Sequence, residues 1–177
     1  QVSVLVDGVP VSYPYDGGLD LAALSASSIE EIRIYRGAAR SPYGGGAIGG
    51  IVDIRTSGAP TEPTFRVRAG GGSGWRSELL ASGGGAIGPV RVSLGWELRN
   101  QPYSLLPHSF PSQPNEGGGR RENSDRRDST LHGAIGIGDS TRSLELRTTI
   151  ADVRRGVPPE VAEPDPRYWR WDLWRDH

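Results

Sequence analysis

Two glycine runs carry the spacing that can cradle a phosphate. Gly44-x-Gly46-x-x-Gly49 and Gly83-x-Gly85-x-x-Gly88 both read GGGAIG. A dinucleotide site of this kind needs a strand before the motif and a long helix after it, so that the helix N-terminus meets the pyrophosphate. The first run leads into IVDIRT and the second into Pro89 and VRVSLGWEL, both strand-like. The nucleotide reading is therefore excluded, and the glycines are read as sites of tight turns and close backbone packing. His108, His132 and His177 lie far apart and share no ligand spacing. There is no Cys, hence no thiolate metal site and no disulfide framework. No nucleophile stands beside a base, and no carboxylate pair sits in an apolar setting that would tune it. Glu160, Glu163 and Asp165 fall in a Pro-rich, solvated stretch. Arg120-Arg121 and Arg126-Arg127 are interrupted by Glu122, Asp125 and Asp128, which reads as a solvated loop and not a nucleic-acid patch. No catalytic residue, metal site or cofactor is expected, and the chain is not read as an enzyme.

The composition points to strands with one apolar face. Of 177 residues, 26 are Gly and 14 are Pro, and the hydrophobic fraction is 35%. The glycines lie inside and between strand-like runs, which fits a turn-rich β protein better than disorder. Net charge is −1, so no overall field draws the chain to nucleic acid. All 20 basic residues are Arg. Arginine binds carboxylates and phosphates bidentately, which suits anionic lipid headgroups or ion-pair locks. There is no run of 18 apolar residues for a membrane-crossing helix. The N-terminus QVSVLVDG is not a signal peptide, so an exported protein would carry its leader elsewhere.

Apolar runs at 2–6 and 9–12 flank Asp7-Gly8, a hairpin signal. Residues 19–29 are weakly helical, and Ser27-Ser28-Ile29-Glu30 fits a capping box for one helical turn. Residues 31–36 alternate, with Ile32 and Ile34 on one face and Arg33 and Tyr35 on the other. Residues 51–55 form another strand, and 57–63 read as a linker. Beyond it the pattern holds only strands, at 65–69, 75–82, 90–100, 131–137 and 143–152, with a sixth near Tyr168. The third alternates cleanly, Val90, Val92, Leu94, Trp96 and Leu98 against Arg91, Ser93, Glu97 and Arg99. Tight turns at Gly88-Pro89 and Asp139-Ser140 alternate with long polar links at 102–128 and 154–167. Transmembrane barrels alternate links in this way. Tyr168, Trp169, Trp171 and Trp174 have the composition of a membrane-interface girdle; the other reading is a sugar-stacking surface on a soluble, secreted β-rich carbohydrate-binding module.

Several stretches resemble one family, the TonB-dependent outer-membrane receptors. VSVLVDGVPV is similar to their early plug hairpin, and EIRIYRG (31–37) to their I-E-x-I-E-V-x-R-G-P. Tyr43 through Ile54, YGGGAIGGIVDI, is similar to Y-G-x-x-A-x-G-G-V-I-N-I, with Asp53 where Asn is usual and Ala38 where Pro is usual. The resemblance implies an α+β plug fragment over 1–60, followed over 61–177 by antiparallel transmembrane β-barrel strands, five to six of them, an incomplete barrel. It implies a receptor for energy-coupled uptake of a scarce ligand such as a siderophore, cobalamin, a metal complex or an oligosaccharide. The expected place is the outer membrane of a Gram-negative bacterium. The expected partners are outer-membrane lipid, a small-molecule ligand and the TonB complex, acting through a box not found in this sequence. Arg36 matches a plug arginine that locks the plug to barrel carboxylates in some members. Gly37, Tyr43, Gly44, Gly49 and Gly50 match the plug motif. The family's barrel has 22 strands, so the chain is expected to be an internal fragment.

Overall fold

The computed structural model describes residues 2–11, 24–25, 28–36, 49–107, 119–139, 141–160 and 167–176. The chain divides into two compact units, Gln1–Gly58 and Ala59–His177.

The first unit holds a four-stranded mixed sheet in the order β2-β1-β4-β3. Its strands are β1 (Val2–Val6), β2 (Val9–Pro10), β3 (Ile29–Arg36) and β4 (Gly50–Thr56). Asp7 and Gly8 both have positive φ, 49° and 83°, as a two-residue hairpin turn between β1 and β2 requires. β1 runs parallel to β4, with Leu5 opposite Asp53, and β3 runs antiparallel to it, with Ile34 opposite Val52. Leu5, Ile51 and Ile54 are buried. Asp7 ties the hairpin to the end of β4: its carboxylate accepts from the Thr56 amide at 2.9 Å and from the Thr56 hydroxyl at 2.6 Å. The expected helical turn at 27–30 is corrected. Ile29 and Glu30 open β3, and Ile29 pairs with Thr56. Ser28 instead closes a 3-10 turn, its amide and hydroxyl both donating to the Ser25 carbonyl at 3.1 and 2.8 Å, and Ser27, the expected cap, lies outside the described residues.

The second unit is a six-stranded antiparallel meander, with its strands in the order β12-β11-β10-β7-β6-β5. They are β5 (Thr64–Gly72), β6 (Arg76–Ile87), β7 (Val90–Gln101), β10 (Arg126–Gly138), β11 (Ser143–Val157) and β12 (Trp169–Asp176). The pair β8 (Ser104–Leu105) and β9 (Arg120–Arg121) lies between β7 and β10. Most strands outrun their apolar pattern. β6 continues through the second glycine run, and only Gly88, at φ +62°, belongs to a turn. Glycine is needed in β6 because a Cβ on Gly84 would come within 2.5 Å of the Val92 carbonyl oxygen and 3.0 Å of the Pro60 ring.

An antiparallel meander brings alternate links to the same end. The chain leaves β6 and β10 at one end of the sheet, and β5, β7 and β11 at the other. The link between β5 and β6 is a short 3-10 turn, Ser73–Trp75, so strict alternation of short and long links fails there. At the short end, the Asp139 carboxylate accepts the Thr141 and Arg142 amides at 2.7 and 2.9 Å. These bonds hold it below the usual carboxylate range. A depressed folded value means the turn's support is present above about pH 4 and lost as pH falls through the folded value. Asp139→Ala is expected to lower the protection factors of those two amides at neutral pH, and acid is expected to lower them in the unsubstituted chain; hydrogen exchange corrected for the pH dependence of intrinsic exchange reads both.

Candidate functional site

Cross-strand partners share a face, so the registers extend the two faces of β7 across the sheet. One face is apolar. Val90 lies beside Ile87 and Ile137, and Ile137 beside Leu144. Leu94 lies opposite Gly83 and Gly133, and Trp96 opposite Ala81 and Leu131. Phe65, Ile87, Leu94, Ile135, Leu144 and Leu146 are 57–82% exposed on that face. So much contiguous exposed apolar surface is far beyond the scattered singles of a soluble domain. From Val90 to Leu98 it spans about the 9–11 residues that a tilted strand needs to cross a bilayer.

The other face is polar. Glu97 stands opposite Leu80 and Thr130, and Arg99 opposite Glu78 and Asp128. Arg99 pairs with Glu97, and Arg126 with Asp128, whose Oδ2 also accepts Arg126 Nε at 2.6 Å. Arg76 reaches Glu78 at 3.4 Å and Arg147 reaches Glu145 at 2.6 Å. Asp128 and Glu97 are buried; a buried carboxylate is tolerable only with such partners. A cavity of about 140 Å³ lies among Arg76, Arg99, Asn100, Gln101 and Arg126. At the same end a shallower cleft of about 430 Å³ is lined by Trp75, Tyr103, Leu105 and neighbouring glycines. The Arg120 guanidinium covers the Tyr103 ring at 4.3 Å. Guanidinium groups beside aromatic rings can hold and orient a ligand. Among the described residues no three His, Asp or Glu side chains gather as metal ligands. The sequence reading missed this constellation because its members come from β6, β7, β10 and a link, and only the registers bring them together.

Of the residues singled out from the sequence, Arg36 ends β3, exposed and opposite Gly50. Gly49 is exposed just before β4, whereas Gly50 is buried at φ +128°, where a Cβ would stand 2.5 Å from the Tyr35 carbonyl oxygen. Gly37, Tyr43 and Gly44 lie outside the described residues. The Tyr168 hydroxyl donates to Glu122 at 2.6 Å, which holds the phenol above its ordinary range. Trp169 and Trp171 do share a face, but it is the polar one. Trp171 stands opposite Arg155, whose guanidinium lies 5.3 Å from the indole, and Arg155 stands opposite Arg126. The apolar face is the opposite one. Trp96 is on it, with its indole N–H donating to the Ser129 hydroxyl at 3.1 Å.

Residues 1–51 match the family described as the TonB-dependent receptor plug domain. The vitamin B12 transporter BtuB of Vibrio cholerae is 33% identical over 126 residues, 70% of this chain and 20% of that protein. The FrpB iron transporter of Neisseria meningitidis superposes on 96% of this chain, and on 28% of its own, at a TM-score of 0.77 and 18% identity. The chain belongs to the TonB-dependent receptors. The pyoverdine receptor FpvA of Pseudomonas aeruginosa superposes on 89% of this receptor chain and 22% of its own, with a TM-score of 0.64 and 18% identity. The receptor chain thus spans about a fifth of the length of its curated relative. The family and the mostly antiparallel fold accord with the resemblance drawn from the motifs.

Proposed function

We propose that the chain supplies part of the plug and the first barrel strands of an outer-membrane receptor that takes up a scarce ligand with energy from the TonB complex. In this reading 1–60 is plug and 61–177 is barrel, with the apolar face of the meander turned to lipid and the polar face to the lumen. The long-link end then faces outside the cell, since barrels keep their short turns on the periplasmic side. The observation that carries the reading is the continuous exposed apolar face opposite a ladder of paired arginines and carboxylates. Arg36 is the candidate lock between plug and barrel. Cobalamin, iron chelates and other metal complexes are the ligand classes to examine, because a relative and structural neighbours are named as a vitamin B12 transporter, an iron transporter and a pyoverdine receptor. A soluble carbohydrate-binding module would have to leave its apolar face in water, which disfavours that alternative.

Disruption of the gene in its host, with uptake of labelled cobalamin and ferric siderophores followed with and without TonB, tests the proposal. The expected result is loss of TonB-dependent uptake of one ligand class. Recovery of the gene product in the periplasm or medium would sink it.

A further inference from the structure

The chain as a whole has a net charge of −1, yet the polar face of the meander is strongly cationic. The registers divide that face into six cross-strand rows, at Arg91, Ser93, Gly95, Glu97, Arg99 and Gln101 of β7, and every row holds an arginine. Arg91 supplies the first. Arg147 lies in the row of Ser93, Arg66 in that of Gly95 and Arg68 in that of Glu97. Arg99 supplies the fifth, and Arg126 and Arg155 both stand in the row of Gln101. Successive rows are two residues apart, about 7 Å along a strand.

The carboxylates of this face do not neutralise it. Glu78, Glu97, Asp128 and Glu145 engage Arg76, Arg99, Arg126 and Arg147, one each. Eight arginines on the described strands of this face thus stand against four carboxylates. Arg66, Arg68 and Arg91 make no ion pair among the described residues. Arg91 Nη2 lies over Gly136 beside Glu145, which Arg147 already holds, and Arg91 Nε is buried without a partner. A surface lined by one sign of charge and backed by a low-dielectric layer focuses its field and concentrates ions of the other sign. Guanidinium forks take the oxygens of an anionic ligand two at a time. The rows follow one another without a gap, so an anion that leaves one arginine meets the next. That is a path along the sheet and not a single pocket.

We propose that this arginine track carries a negatively charged metal chelate, whose oxygens pass from one guanidinium to the next. The proposal rests on the polar face being the lumen face, and the test keeps the two apart. The full chain is reconstituted into phosphatidylcholine vesicles and dialysed against radiolabelled iron, held either by a triply anionic hexadentate tricatecholate or by a neutral hexadentate trihydroxamate. Flotation reports insertion. The anionic chelate is expected to bind about tenfold more tightly than the neutral one, and to lose that lead as salt approaches about 1 M, where charges are screened within about 3 Å. R66Q/R68Q is expected to float equally and to bind the anionic chelate about tenfold more weakly, the loss of two exposed charge contacts, with the neutral chelate unchanged. R127Q/R154Q, an equal charge change on the other face, is expected to bind both chelates as the unsubstituted chain does. Failure of the unsubstituted chain to float overturns the lumen reading. Normal flotation with equal affinity for the two chelates overturns the track, as does undiminished binding of the anionic chelate in R66Q/R68Q. Equal loss of both chelates in R66Q/R68Q, or equal weakening in R127Q/R154Q, overturns it too. Displacement of the anionic chelate by equimolar inorganic phosphate would make the track one for small anions and overturn the assignment of a chelate.

Discussion

Leu94→Arg is expected to destabilise the membrane-inserted chain by about 2–4 kcal/mol, with Leu146→Arg close behind. Both leucines are among the most exposed apolar side chains of the second unit, 62% and 70%. In water, an exposed Leu→Arg change away from any cap, cavity or network stays within about 0.5 kcal/mol. In a bilayer the same change places a guanidinium among acyl chains, and near the midplane it cannot snorkel out. Leu94 is flanked by Gly83 and Gly133 in register, so neither direct cross-strand neighbour carries a side chain of its own. Ser93→Arg moves one residue along β7 and lands on the polar face, between Gly84 and Ala134. It is expected to insert nearly as well as the unsubstituted chain. Denaturant titration of the chain in vesicles reads the difference. Equal behaviour of the two arginine variants would contradict the assignment of the faces.

Gly50→Ala is expected to break the first unit. The residue combines φ +128°, which L side chains rarely adopt, with a Cβ position 2.5 Å from the Tyr35 carbonyl oxygen. The obstacle is backbone, so no rotamer relieves it. Gly50 also pairs with both Arg36 and Val2, so a shift there disturbs β3 and β1 together. Strain of this kind costs about 1–3 kcal/mol before the contact is counted. That is a large share of what a small sheet with a core of few residues can supply. Circular dichroism melting should show a lower transition, and hydrogen exchange should show lost protection along β3 and β4. Unchanged melting and exchange would mean that the β3–β4 junction does not hold this conformation.

Local patterns in the sequence foretold the strands and their alternation, but not which distant residues met. β7 was legible in full because one face is apolar along its length and the other carries charge. The first half of β10, 126–130, is polar on both faces, lies beyond the apolar band, and so reads as loop. Gly83, Gly84 and Gly85 read as turn because glycine usually breaks strands; here it admits Pro60, Pro63 and the neighbouring backbone. The capping pattern at 27–30 is a sound local signal that lost to pairing, since Ile29 gains a partner in Thr56. Trp169 and Trp171 show the sharpest limit. Their spacing says that they share a face, but the register with β11 decides which one, and that register is a non-local fact. The arginine–carboxylate ladder was hidden for the same reason.

Because the chain contains no cysteine, single cysteines can be placed along β7 and labelled with a nitroxide without background. Accessibility of the labels to a lipid-soluble and a water-soluble relaxer, measured in vesicles at each position from 90 to 99, tests the central claim most directly. The account predicts a period of two, with 92, 94, 96 and 98 contacting lipid and 91, 93, 95, 97 and 99 contacting water. Uniform water access along the strand would contradict it.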